Sequence, residues 1–199
     1  MSALHLGTAL LSPRRAFAAV AEHPPTGSRV FFGSALWLVL CPPLFAYVGT
    51  TLFGWRLGVE PMFLPAGTAL AVSVAYFVLL LFGLLSSAFV AHWMAGTYGA
   101  DTSYAHSLAL MTLVAAPLAI GSVVHLYPNA FFNVIVLVPT LMWSMYLLYR
   151  GLPVVLRTDT GRGMLMASAL IAYLLVSWVT LLGITAVLWS FGVGPRVAT

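Results

Sequence analysis

His92, Asp101 and His106 are the residues of this chain whose types and closeness in sequence could do chemistry. Imidazole and carboxylate ligands suit Zn²⁺ or another transition metal. A helical ligand pair needs i,i+4 spacing, as in His-Glu-x-x-His. The steps from His92 to Asp101 and from Asp101 to His106 give no such pair and match no ligand motif. The same residues also read as histidines near lipid headgroups and a carboxylate capping a helix. The serines Ser86, Ser87 and Ser168 have no partner set either. A Ser-His-Asp catalyst needs a base in reach and a carboxylate to orient it, and Asp101 is the only acid between positions 61 and 158. Gly161-Arg162-Gly163 lacks the Lys-Ser/Thr pair of a phosphate loop. The expectation is a protein that is not an enzyme, with no catalytic residues, cofactor or resident metal.

The arginines are the stronger signal. All eight basic residues are Arg, against four acids. In a soluble protein this excess would suggest nucleic acid. Here only 6% of residues are charged and 62% are hydrophobic, whereas soluble domains carry about a quarter charged residues. Too few charges remain to build a surface facing water, so lipid must be the solvent and nucleic acid is excluded as a partner. Arg14, Arg15, Arg29, Arg150, Arg157 and Arg162 lie outside the apolar tracts and are candidates to bind lipid phosphate or a protein partner. The single Cys41 excludes an internal disulfide.

The elements that position these residues follow from the tracts free of Asp, Glu, Lys and Arg: 30–55, 61–100, 102–149 and 163–195. The third is more than twice the ~20 residues one spanning helix needs. Tyr127-Pro128-Asn129 divides it. The fold class is therefore all-α: a polytopic membrane protein with five transmembrane helices at about 30–51, 64–91, 104–126, 131–149 and 164–191. No polar segment is long enough for a soluble domain. The apolar run begins after Arg29 and is too long for a cleavable signal peptide.

Within 1–29, Ser12-Pro13 starts a helix. Phe17, Val20 and Ala21 share one of its faces, as in an amphipathic helix lying on the membrane surface. Pro42, Pro43, Pro117 and Pro139 are expected to kink their spans. Gly83, Ser87 and Ala91 recur every four residues, the small-residue pattern of close helix packing. The loops are read at 92–103 and 150–162, and 192–199 is a short tail. With five spans, six arginines fall on the N-terminal side and two, Arg56 and Arg196, on the other. The positive-inside rule then sets the N-terminus in the cytoplasm and the C-terminus outside.

In this order the chain resembles the Yip family (Ypt-interacting-protein-like) of integral membrane proteins, and in particular its bacterial inner-membrane branch. LLSPRRAF at 10–17 is similar to the family's opening surface segment. GTYGADTSYAHSLALMTLVAAPLAI at 96–120 looks like its glycine loop and proline-containing helix. VPTLMWSMYLLYRGLPVVLRTDTGRG at 138–163 looks like its aromatic fourth span and the Tyr-x-Gly-Leu-Pro turn. The resemblance implies residence in a bacterial inner membrane. Eukaryotic members act in membrane trafficking, binding small GTPases and one another. Their Asp-Leu-Tyr-Gly-Pro segment before the first span is absent here, so the resemblance carries topology rather than GTPase binding.

Two functional expectations follow. The first is a non-enzymatic scaffold or adaptor binding membrane lipids, other membrane proteins or copies of itself through the six arginines. The alternative is a small oligomeric transporter or channel for an uncharged or lipid-like solute, built around the proline-kinked spans. No Asp, Glu, Lys or Arg falls within any of the five spans, which argues against an ion-driven pump.

Overall fold

A computed structural model describes residues 7, 10–23, 25–56, 61, 63–98, 100 and 103–190. A short helix, α1 (Pro13–Glu22), precedes five long ones. These are α2 (Gly27–Leu52), α3 (Ala66–Thr97), α4 (Tyr104–Leu126), α5 (Ala130–Val155) and α6 (Thr160–Ser190). All five long helices are long and apolar enough to cross a membrane. Among the described residues there is no strand, only an isolated bridge between Arg56 and Asn129. In hydrocarbon a helix satisfies its backbone within itself, which is why apolar tracts of this length take this form.

The bundle is organised around α4. It packs against α2, α3 and α5 and, at its first turns, against α1. It is the most enclosed of the five. Its residues allow that, because Ala109, Ala116, Ala119, Ser107 and Thr112 leave room for neighbouring backbones. Thr112 donates its hydroxyl to the Leu108 carbonyl at 2.7 Å, so that polar group needs no neighbour. The opposite pattern marks α6, which packs on α5 and α3 and leaves most of its apolar side chains on the outside.

Two helices run further than the spans expected at 64–91 and 131–149. α3 has 32 residues, or about 48 Å at 1.5 Å per residue, well beyond a hydrocarbon core of ~30 Å. Its last turns carry His92 and bury Met94 and Ala95. The segment read as a loop from His92 is thus helical to Thr97, because packing continues there after hydropathy falls. Likewise α5 continues to Val155 and places Arg150 and Pro153 within the helix. Gly151, Leu152 and Val155 are buried on that last turn. The connection to α6 shrinks to 156–159.

The proline positions fall on different surfaces. Pro42 and Pro43 lie buried inside α2, beneath a stretch at Phe31–Ala35 where the hydrogen bonds widen to i→i+5. Pro117 is buried inside α4, and Pro139 stands on the outer surface of α5. Pro153 stands inside the last turn of α5, within the segment expected as the loop 150–162.

Candidate functional site

The end of the bundle that carries α1 is assembled by side chains reaching between elements. α1 buries Ala16, Phe17, Val20 and Ala21. Phe17 is only 1% exposed. Its ring fills a notch made by Gly151 of α5 and Leu110 of α4. A Cβ on Gly151 would lie 2.6 Å from the Phe17 ring and 2.8 Å from a Leu110 methyl. The amphipathic face of α1 is therefore covered by protein, whereas the sequence suggested a helix lying on lipid. Close packing of the ring in this notch, rather than removal from water, favours the protein over lipid as its cover.

Arg157 completes this docking. Its guanidinium donates to the Ala21 carbonyl at the C-terminus of α1. A cation there also meets the negative end of the helix dipole. Arg157 has φ 51°, the left-handed position just past the end of α5 that glycine usually occupies. Leu156 N–H donates to Leu152 O at 3.0 Å and Thr158 N–H to Pro153 O at 3.1 Å, closing the helix around that residue.

The six arginines of the candidate surface are all exposed, yet they divide into two sets. Arg157 holds α1. Arg162 pairs with Asp159 at 3.2 Å and donates to the Tyr98 carbonyl at 3.5 Å, reaching the end of α3. Arg150 stacks over the Tyr146 ring at 5.6 Å. Arg14, Arg15 and Arg29 have no hydrogen bond, ion pair or ring partner among the described residues. Asp159 also accepts from the Arg162 backbone N–H at 3.0 Å and so caps α6, a role the sequence reading did not assign.

The histidine candidates have different partners. The His92 ring meets the Tyr104 ring edge-on at 6.1 Å, and its Nδ1 is buried without a hydrogen-bond partner. His106 is buried, with Nδ1 3.0 Å from Ser103 Oγ and Nε2 unpartnered. Asp101 lies outside the described residues. Among the described residues no group of three or more His, Cys, Asp or Glu side chains converges. Ser86 and Ser87 both donate to the Gly83 carbonyl, and Ser168 donates to Met164 O at 3.0 Å. Ser87 and Ala91 are buried together with Ala88 and Ala95. Gly83 stands apart, since a Cβ there would meet nothing within 4 Å.

The tightest backbone approach of α2 is at Gly49, where a Cβ would collide with the His125 carbonyl of α4. It belongs to a second polar cluster at the other end of the bundle. His125 Nδ1 lies 2.7 Å from Asn133 Oδ1, and Asn133 Nδ2 donates to Asn129 O at 2.8 Å. With the Asn133 amide committed as a donor to the backbone, its oxygen faces the ring and Nδ1 of His125 must be the donor. Asn129 in turn accepts from Phe132 N–H at 3.1 Å and caps α5. The Asn129/Asn133 pair is missed from sequence, although its i,i+4 spacing is the available signal. Arg56 joins this end through its backbone, donating to Pro128 O at 2.9 Å, and its guanidinium lies 5.3 Å from the centre of the Tyr127 ring.

Comparison with known proteins agrees with this architecture. The Yip1 domain family model matches residues 7–192. Inner membrane protein YohC of Escherichia coli K12 is 30% identical over 181 residues, covering 90% of this chain and 93% of that protein. YohC of a second Escherichia coli strain matches to the same extent. No solved structure matches the chain. A family model that spans α1 and all five long helices, together with a relative matched along nearly its whole length, shows that the chain belongs to the Yip1-domain family of integral membrane proteins.

Proposed function

We propose that the protein is a non-enzymatic membrane scaffold or adaptor, binding other membrane proteins or lipids through its arginine-rich end. One observation carries this reading. Arg14, Arg15 and Arg29 are exposed and uncompensated among the described residues, on elements that packing and Arg157 hold in place. Cations left over after a structure has met its internal needs are available to a partner. The buried face of α1 keeps Arg14 and Arg15 on a defined support, so an interaction there would not have to order the helix first. The named relative is an inner membrane protein, which supports the inner membrane as the location. The arginine distribution, six against two, supports a cytoplasmic α1 end.

The test is gentle purification of the tagged full chain from its native membrane, with mass spectrometry of the proteins and lipids that accompany it. The comparison is with an Arg14→Gln/Arg15→Gln/Arg29→Gln variant. A companion present in near-equal amount with the native chain and lost from the variant is the expected result. Identical companions and identical lipid from both would overturn the proposal.

A further inference from the structure

We infer that the partner of the Arg14/Arg15/Arg29 surface is an anionic phospholipid headgroup. The inference rests on the scaffold reading and names the partner at the same site. Its first support is charge. The only acids among the described residues are Glu22 and Asp159, and Asp159 is already paired with Arg162. The three free arginines therefore present positive charge that the described protein does not neutralise.

The second support is what flanks them. Leu11, just ahead of α1, is 88% exposed, an apolar side chain beside Arg14 and Arg15. Arg29 lies in the first turn of α2, and Phe32 and Trp37 further along that helix are 63% and 62% exposed. In a spanning helix such aromatics face hydrocarbon or its boundary, which sets Arg29 at headgroup depth. Exposed apolar side chains close in sequence to the cationic ones fit a surface that is itself apolar below and anionic above. An acidic patch on a soluble protein would match the arginines but leave Leu11, 88% exposed, in water.

The third support is the anchoring of α1. Phe17 in the Gly151 notch and Arg157 on Ala21 O fix the helix against α4 and α5. Its apolar face is unavailable for insertion, so α1 can meet lipid only with its charged face. That geometry selects phosphate over acyl chain.

The full chain is reconstituted into mixed phosphatidylcholine–phosphatidylglycerol vesicles and gently extracted. The ratio of the two lipids retained on the protein is then measured. One arginine near an anionic surface is worth roughly a fivefold preference, so phosphatidylglycerol should be enriched at least that much over its bulk share. Arg14→Gln/Arg15→Gln/Arg29→Gln should return the ratio to bulk. Arg162→Gln, which removes a charge already compensated by Asp159, should leave it enriched. As a second readout, phosphatidylglycerol should raise the Tm of the native chain and not of the triple variant, with both melting alike in phosphatidylcholine alone. Equal enrichment in native chain and triple variant overturns the inference, and so does equal stabilisation by inorganic phosphate. A companion protein lost from the triple variant without any change in lipid overturns the lipid partner and leaves the scaffold reading standing. No change in either removes both.

Discussion

The two ends of the bundle solve one problem with different chemistry. Each must satisfy helix ends and tie together segments that leave the apolar core. At the α1 end, Arg157 and Arg162 reach across to backbone carbonyls of Ala21 and Tyr98. At the other end, neutral amides and backbone do the same work: Asn133 on Asn129 O, His125 on Asn133, and Arg56 N–H on Pro128 O. An end built on cations weakens with salt and competes with phosphate for its donors. An end built on neutral hydrogen bonds does neither. The α1 end is thus the responsive one, and the opposite end is a fixed brace.

The sharpest way to break the comparison is Phe17→Ala. Truncating a buried Phe costs about 3–5 kcal/mol, and Phe17 is the largest side chain that α1 buries. Hydrogen exchange at 13–22 should lose nearly all protection while the five long helices keep theirs. Unchanged protection would mean that α1 is not held by this notch. Gly151→Val tests the notch from the other side and should produce the same loss, since its Cβ falls on the Phe17 ring.

The fate of Phe17 also shows what was legible. The number of long helices followed from composition, because a chain with so few charges has only one kind of solvent and one way to satisfy its backbone there. The apolar face of α1 was equally readable from Phe17, Val20 and Ala21. What covers that face was not, because an apolar stripe looks the same whether it meets lipid or protein. The deciding residue, Gly151, lies far away in sequence and is too small to have a pattern of its own. The arginines failed in a related way. A count places six on one side of the membrane, but whether a guanidinium is free or committed depends on carbonyls such as Ala21 O, which a sequence does not display.

A second prediction concerns the brace. Asn133→Ala leaves the His125 Nδ1–H without its acceptor, at a cost of about 1–3 kcal/mol. The Tm should fall, and by the same amount at low and high salt. A loss that shrinks in salt would mean that this end, too, is electrostatic. Arg157 gives the opposite signature. Arg157→Gln should cost about 1 kcal/mol, reduced by solvent because the side chain is exposed, and its effect should fade as salt rises. Arg157→Gly removes the same hydrogen bond but relieves the left-handed backbone, which costs a non-glycine residue roughly 1–2 kcal/mol. Its Tm should therefore lie at or above that of Arg157→Gln, while α1 exchange rises in both. If Arg157→Gly restores α1 protection, the guanidinium is not what holds the helix.

The smallest effect separates two roles that share one pair of residues. Arg162 and Asp159 form an ion pair at 3.2 Å with both side chains largely in solvent. Such pairs are worth about 0–1 kcal/mol, and the exposed bond to Tyr98 O is long at 3.5 Å, so Arg162→Gln should leave the Tm nearly where it was. Asp159→Ala removes the same pair but also the acceptor for the Arg162 backbone N–H at the start of α6. Losing an N-cap costs roughly 1 kcal/mol, so Asp159→Ala should destabilise measurably more, and raised salt should not close the gap. Equal effects from the two substitutions would mean that the charge, not the cap, secures α6. The start of α6 would then rest on the ion pair, and its contrast with the neutral brace would widen.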